Sequence, residues 1–229
     1  MKRLRLLSHE IGTECNLAAE HAAKCPMSVD RYENVNTSRI LGDDLIVSNV
    51  EYVYSLGFTG FLAWQYYCEP LLFIDRIEGL FEKIKKVVPE AKHLLWTNGV
   101  LIDREVDAAR LKFFSSIIIS GYEQRDWSKT IQTLPQINLI RGRLDKRLRV
   151  CEFSRNRCYR PCGEMIVDFY GNHRLCCGDY KGTASDLNVY TDGFAALVDR
   201  HLYFRDMLEI EPLSDLAPKI CFTCCIRKG

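Results

Sequence analysis

Residues 60–99 read GFLAWQYYCEPLLFIDRIEGLFEKIKKVVPEAKHLLWTNG, and their pattern decides the fold. The run 60–67 is apolar and aromatic and stops just before a proline, which is typical of a buried strand that enters a loop. Residues 93–97 form a second short apolar run, which an Asn-Gly turn signal ends. Between them, residues 74–88 place apolar side chains on one helical face: Ile74, Ile77, Leu80, Phe81, Ile84 and Val88. This order of strand, helix and strand predicts parallel strands joined by a helix.

The same alternation continues on both sides of this stretch. The sequence predicts further strands over 4–11, 113–120 and 137–141, and further helices over 43–56 and 103–112. Repeated alternation favours an α/β fold, with a parallel sheet and helices on its outer face. Ligands of such sheets bind at the carboxyl ends of the strands. The loops 12–25, 67–70 and 97–99 follow three of these strands, so we expect them to form a site together.

Composition places the chain among globular proteins. Of its 229 residues, 47% are hydrophobic and 27% charged, and its net charge of +1 offers no general attraction to nucleic acid or to a membrane surface. No apolar run approaches the roughly 18 residues of a membrane span, and the apolar run after the N-terminus is too short for a signal peptide. We therefore expect a cytoplasmic protein without nucleic-acid or membrane partners.

Cysteine is the unusual residue. The odd total of 11 excludes a small disulfide scaffold and favours metal or iron–sulfur ligation. Most of the cysteines follow residue 150: Cys151, Cys158, Cys162, Cys176, Cys177, Cys221, Cys224 and Cys225. The same region contains a predicted β-hairpin over 164–177 and a predicted helix over 194–208. We therefore predict a partial (β/α) barrel over 1–150 and a small cysteine-rich α+β domain over 151–229.

Four of the later cysteines are the preferred metal ligands. Cys158 and Cys176 flank the predicted hairpin, and Cys221 and Cys224 form a C-x2-C pair near the C-terminus. Four thiolates suit a tetrahedral zinc or a 4Fe–4S cluster, and the spacing does not decide between them. The remaining cysteines of this region are alternative ligands: Cys151, Cys162, Cys177 and Cys225.

The segment GTECNLAAEHAAKCP, residues 12–26, resembles the cluster loop of radical S-adenosylmethionine (AdoMet) enzymes. In that family a C-x3-C-x2-C motif follows the first barrel strand, and three cysteines hold a 4Fe–4S cluster whose open iron binds AdoMet. Cys15 matches the first position, whereas Ala19 and Ala22 stand where the other two thiolates belong. Alanine has no lone pair to donate, so this chain lacks two ligands of the family's core cluster.

Three explanations of the alanines stay open. Identical residues at the two missing positions favour an engineered pair of replacements. A natural member that has lost radical chemistry is the second explanation. An unusual site formed by Cys15, His21 and Cys25 is the third.

Two further loops match the family. Cys68-Glu69-Pro70 resembles its Gly-Glu-Pro motif, whose backbone and glutamate meet the ammonium of AdoMet, although cysteine stands where glycine or asparagine is commoner. Thr97-Asn98, followed by glycine, resembles the family's Thr-Asn-Gly turn after the third strand. Both loops are implied to bind AdoMet.

Three residues near the ends of the next strands complete the match. Ser120 ends the fourth predicted strand, where the family commonly has a polar contact to the ribose or carboxylate of AdoMet. Arg141 and Arg143 end the fifth and are placed to pair with the methionyl carboxylate.

The C-terminal region resembles the auxiliary-cluster domains of this family, called SPASM or, with one cluster, twitch. The resemblance is closest to small twitch enzymes that oxidise or epimerise aminocyclitols and aminoglycosides. It implies a 5′-deoxyadenosyl radical that takes hydrogen from a small-molecule substrate, an auxiliary 4Fe–4S cluster, and a reductase partner such as flavodoxin or ferredoxin. An epimerase would need a thiol hydrogen donor, for which Cys25, Cys68 and Cys162 are candidates. Two alternatives remain, a peptide-modifying radical AdoMet enzyme and, if the alanines are native, a non-catalytic iron–sulfur or zinc protein.

Overall fold

Seven strands form one mixed sheet in the computed structural model, which describes residues 3–20, 25–26, 37–122, 125–141, 163–209 and 217–222. The strands are β1 (Leu6–His9), β2 (Phe61–Ala63), β3 (Lys92–Thr97), β4 (Ser116–Gly121), β5 (Ile137–Arg141), β6 (Glu164–Val167) and β7 (His173–Arg174). Their spatial order is β5-β4-β3-β2-β1-β6-β7. All neighbours are parallel except β6 and β7. The α/β class and the parallel arrangement of the first five strands are as predicted.

Helices connect and cover the strands. They are α1 (Asp43–Ser55), α2 (Ile74–Val87), α3 (Ser128–Thr133), α4 (Val189–Asp192), α5 (Phe194–Leu208) and α6 (Lys219–Phe222), with 3-10 helices at Pro70–Phe73 and Ala108–Phe113. The predicted apolar face of α2 is confirmed, since its aliphatic members are buried in the main core: Ile74, Ile77, Leu80, Ile84 and, just after the helix, Val88. In the part of the chain that is described, no helix has the length and apolar character to cross a membrane.

The predicted hairpin is confirmed, and it extends the main sheet. Strand β6 pairs with β1 in parallel, with Leu6 beside Glu164 and Ser8 beside Ile166, and β7 returns antiparallel to β6. Gly171 makes the turn at a φ of +84°, a conformation that glycine adopts without strain. The predicted domain boundary near residue 150 lies between β5 and β6, in a stretch outside the described residues.

The helix predicted over 103–112 is wrong. Asp103 has a φ of +60°, and Ile102 and Val106 form an isolated bridge across a tight turn. A 3-10 helix begins only at Ala108, where the side chain of Asp107 caps it by accepting from the Ala109 amide. The local turn and cap therefore override the apolar spacing of this segment.

The sheet has two distinct faces, which the strand register identifies. Trp64 and His93 stack on each other, and His93 also contacts Phe81 of α2, so these residues define the helix face. The side chains that alternate with these along each strand lie on the opposite face, which we call the inner face. In register across four strands, that face carries Ser8, Ala63, Leu94 and Ser116, and further along it Trp96, Ile118 and Asn138.

Candidate functional site

The three loops expected at the carboxyl edge of the sheet do meet. Glu69, after β2, accepts hydrogen bonds from the hydroxyl of Thr97, the last residue of β3, at 2.6 Å and from the amide of Asn98, which follows it, at 2.9 Å. Its own backbone amide donates to the carbonyl of Glu14, in the loop after β1. The side chain of Asn98 donates to Oδ1 of Asn16 at 2.7 Å in that same loop. The carboxylate of Glu69 therefore ties two loops together, and the backbone amide of the same residue contacts the third.

Glu69 is a buried carboxylate. Its side chain also accepts from the Leu71 amide, and the residue is only 3% exposed. Burial raises the pKa of Glu69, and the three hydrogen bonds oppose that rise. No salt bridge to Glu69 occurs among the residues that the structure describes. A carboxylate offers about four lone-pair sites, so it can accept from one more donor. A buried acceptor of this kind is suited to a cationic ligand.

Cys15 lies beside this carboxylate. Its Sγ atom is 4.0 Å from Nδ2 of Asn98, and burial raises the pKa of the thiol to about 11. Cys15 is therefore a neutral thiol at pH 7 unless a metal or cation binds it. Cys25 is buried and close enough for its charge to raise the pKa of Cys15 further.

The loop residues do not fit a cluster held by three cysteines. Ala19 is exposed in the turn that follows Cys15 and has no ligand atom, and Ala22 lies outside the described residues. Within the described ranges, no three His, Cys, Asp or Glu side chains are grouped closely enough to hold a metal ion.

The neighbours of Glu69 in the second loop have structural contacts. Pro70 begins a 3-10 helix that Glu69 caps. The Sγ atom of Cys68 lies 3.8 Å from the carbonyl oxygen of Trp64, and the residue belongs to the main hydrophobic core. The backbone amide of Cys68 donates to the buried carboxylate of Glu10, as does that of Tyr67.

The remaining predicted AdoMet contacts are on β4 and beyond β5. The hydroxyl of Ser120 accepts a hydrogen bond from the indole of Trp96 at 2.9 Å, so it faces the inner side of the sheet. Arg141 is the last residue of β5 and pairs with Gly121. Arg143 lies outside the described residues.

Arg76 fixes both ends of the loop that carries Cys15. From the first turn of α2, its guanidinium donates to the carbonyl of Ile11 at 2.8 Å and to that of Leu41 at 2.6 Å. It also forms an ion pair with Asp43 at the start of α1, at 2.9 Å. One side chain thus fixes the point where this loop leaves β1 and the point where the chain enters α1.

The second cysteine region is described only in part. Cys176 and Cys221 are both buried, and burial raises the pKa of Cys176, to which a charge on the nearby Cys221 adds a smaller rise. The Sγ atom of Cys176 accepts from the Gly178 amide at 3.3 Å, which opposes that rise. Cys177 follows and is half-buried. The other candidates of this region lie outside the described ranges: Cys151, Cys158, Cys162, Cys224 and Cys225.

A pair of tyrosines joins the two cysteine regions. Tyr66 and Tyr67, at the end of β2, have ring centroids 4.0 Å apart. Their hydroxyls donate to the carbonyls of Cys176 and Cys177, respectively. These contacts and the role of Glu10 were not predicted from the sequence. An acidic residue that follows an apolar strand was the available signal for Glu10.

An ion pair is buried beside the hairpin. Arg174 contacts Asp168 through Nε at 2.8 Å and through Nη2 at 2.7 Å, and both side chains are fully buried. Asp168 also accepts from the amides of Tyr170 and Asn172. The nearby carboxyl of Asp179 accepts from several backbone amides, and burial raises its pKa to about 6.

Comparison with known proteins shows the fold. No protein-family model and no curated protein sequence matches the chain. The crystal structure of BtrN in complex with AdoMet and 2-DOIA is similar over 91% of this chain and 89% of that one, with 18% identity and a TM-score of 0.67. A crystal structure of selenomethionine BtrN in an open conformation is similar over 94% and 91% of the two chains, with 19% identity and a TM-score of 0.64. The chain therefore shares the fold of BtrN along nearly its whole length.

Proposed function

We propose that this chain binds AdoMet at the Glu69 site. By its fold and the residues of this site, it belongs to the radical AdoMet enzymes that oxidise or epimerise aminocyclitols. The observation that carries the proposal is the buried carboxylate of Glu69, which has no salt bridge among the described residues. AdoMet has an ammonium and a sulfonium group, and a buried carboxylate binds such a cation more strongly than an exposed one does. The shared fold with a protein crystallised with AdoMet and 2-DOIA supports the same ligands here.

The chain's own residues bind and orient in this proposal. Glu69 accepts from the ammonium, and Thr97 and Asn98 hold the carboxylate in place. Asn98 also positions Asn16, beside Cys15. Because Ala19 and Ala22 provide no thiolates, we assign no radical step to the chain as it stands. In the form with cysteines at both positions, the reaction class is hydrogen abstraction from a substrate carbon, followed by oxidation or epimerisation.

The proposal is tested by restoring the two thiols. We expect the variant Ala19→Cys/Ala22→Cys, reconstituted anaerobically with iron and sulfide, to gain about four irons per chain over the unaltered protein. With AdoMet and a reductant it should also release 5′-deoxyadenosine. Ala19→Ser/Ala22→Ser is the matched control, because it places hydroxyls instead of thiols at the same two positions and should gain neither property.

Two outcomes would contradict the proposal. Equal iron in all three proteins, without 5′-deoxyadenosine, would remove the core-cluster assignment. Failure of the unaltered chain to bind AdoMet would remove the ligand assignment. If either of these results is found and the unaltered protein contains zinc in place of iron, a non-catalytic metal-binding protein is favoured instead. Native alanines at positions 19 and 22 would suit that function.

A further inference from the structure

Trp96 presents its indole to solvent from inside a strand. It is 42% exposed, whereas Trp64 and Trp127 are only 0% and 6% exposed. The indole is also held in place, because its Nε1 atom donates to the Ser120 hydroxyl on the neighbouring strand at 2.9 Å. A large aromatic surface that is both fixed and accessible is characteristic of a binding position, since little conformational freedom is lost when a ligand covers it.

The indole lies on the inner face of the sheet, opposite the helices. Trp96 is in register with Ile118 on β4 and, through it, with Asn138 on β5. Ser120 is in register with Ile140, which is also exposed. The neighbours of the indole therefore combine an apolar surface with a hydroxyl and an amide.

Another part of the inner face is covered. Ile166 of β6 lies on this face beside Ser8 and packs against Tyr66 and Tyr67, together with Cys177 and Tyr180. Over β1 and β6 the face is therefore closed by aromatic side chains, whereas over β3 to β5 it presents Trp96 and Ile140 to solvent. The exposed part of the inner face therefore lies over β3 to β5, beside a part that aromatic side chains cover.

This exposed part of the inner face adjoins the proposed AdoMet site. Trp96 directly precedes Thr97 and Asn98, both of which donate to Glu69. The backbone of β3 therefore carries the indole on its inner face and the two Glu69 donors at its end. A molecule lying on the indole would be next to AdoMet bound at Glu69.

We propose that Trp96 is a specificity-determining residue that binds the ammonium group of a cyclic amino alcohol. This inference rests on the proposed function and names the part of the site that recognises the substrate. Tryptophan is the aromatic residue that attracts a cation most strongly over its face. Asn138 and Ser120 supply polar groups of the kind that pair with ring hydroxyls, because an amide both donates and accepts and a hydroxyl that accepts from Trp96 still has a proton to donate. An ammonium group among hydroxyls on one small ring matches this combination.

The test measures affinity in solution. The aminocyclitol 2-DOIA, the uncharged cyclitol myo-inositol and AdoMet are titrated calorimetrically into the unaltered protein, Trp96→Phe and Trp96→Leu, with AdoMet saturating in the cyclitol titrations. We expect Trp96→Leu to weaken 2-DOIA binding by about tenfold and Trp96→Phe by about threefold, since phenylalanine keeps a weaker π face. AdoMet affinity and the unfolding temperature should stay unchanged. Tyr203→Leu is the control, because it removes an exposed aromatic ring of α5.

The results separate this inference from the proposed function. If AdoMet binds the unaltered protein but 2-DOIA does not, or 2-DOIA binds Trp96→Leu as tightly as the unaltered protein, the inference is overturned and the AdoMet site stands. If AdoMet affinity falls in parallel with 2-DOIA affinity, the indole stacks on adenine and the inference is again overturned. An equal loss for myo-inositol would overturn the role of the ammonium. If AdoMet does not bind the unaltered protein, the proposed function itself fails.

Discussion

Two buried carboxylates, Asp168 beside the hairpin and Glu69 at the edge of β2, differ in one respect. Both accept several hydrogen bonds, and burial raises the pKa of each. Asp168 has a cationic partner within the fold, Arg174, whose side chain is equally buried. Glu69 has no salt bridge among the described residues, although it is almost as deeply buried. One carboxylate therefore completes the protein's own structure, whereas the other lacks such a partner among the described residues and, in the proposed function, accepts a cation from outside.

The largest expected effect comes from breaking the internal pair. Arg174→Met should lower the free energy of unfolding by about 3–5 kcal/mol, because it leaves the Asp168 carboxylate buried without a cation. Denaturant unfolding followed by circular dichroism measures this loss. Lys83→Met is the control, since Lys83 pairs with Asp44 at the surface and its loss should leave stability nearly unchanged. Equal stability of the two variants would contradict the structural role of Arg174.

The next effect is mainly on ligand binding. Glu69→Gln should weaken AdoMet binding by about 100-fold, roughly 3 kcal/mol, because the ammonium loses its charged acceptor. The free energy of unfolding should fall by only about 1–3 kcal/mol, because the NH2 group of glutamine cannot accept from one of the buried donors that Glu69 now pairs with. Titration calorimetry measures the affinity, and Glu14→Gln, an exposed acidic residue of the adjoining loop, is the control. A large loss of stability with unchanged affinity would reverse the comparison of the two carboxylates.

The smallest expected effect is a shift in the pH dependence of AdoMet affinity. AdoMet affinity should be greatest between the pKa of Glu69 and that of the AdoMet ammonium, and should fall as the pH drops through the pKa of Glu69, because protonation removes the negative charge. The Thr97 hydrogen bond lowers that pKa. Thr97→Val should therefore raise the pKa of Glu69, so that affinity begins to fall at a higher pH, and should weaken binding severalfold at neutral pH.

This profile is measured by titrating AdoMet at a series of pH values. Thr130→Val is the matched control, because Thr130 is also buried and donates to a different carboxylate, that of Asp103. If both threonine variants keep the profile of the unaltered protein, Thr97 does not set the ionisation of Glu69.

Much of the fold could be predicted because it follows from local patterns. Helix α5 has the predicted bounds, and α2 buries the predicted face, since spacing along one element determines which residues face the core. The meeting of the loops at Glu69 could also be predicted, because parallel strands bring their carboxyl ends to one edge.

The features of the fold and the site that could not be predicted depend on contacts between residues that are distant in sequence. Local pattern does not show that β6 pairs with β1, or that Arg174 turns inward to Asp168. For the same reason it gave no sign that Cys68 points into the core, where a motif alone suggested a ligand contact. The exposure of Trp96 was hidden as well, because an apolar strand run does not reveal which of its residues remains uncovered.

Arg76 has a consequence for how this protein can change. Because one guanidinium holds the backbone carbonyls of Ile11 and Leu41, these two contacts do not depend on the side chains of the residues between them. Doubling the length of such a loop costs only about 0.6 kcal/mol in closure entropy. We therefore expect a segment of different length or thiol content, grafted between Ile11 and Leu41, to keep these two anchoring contacts and leave the sheet unchanged.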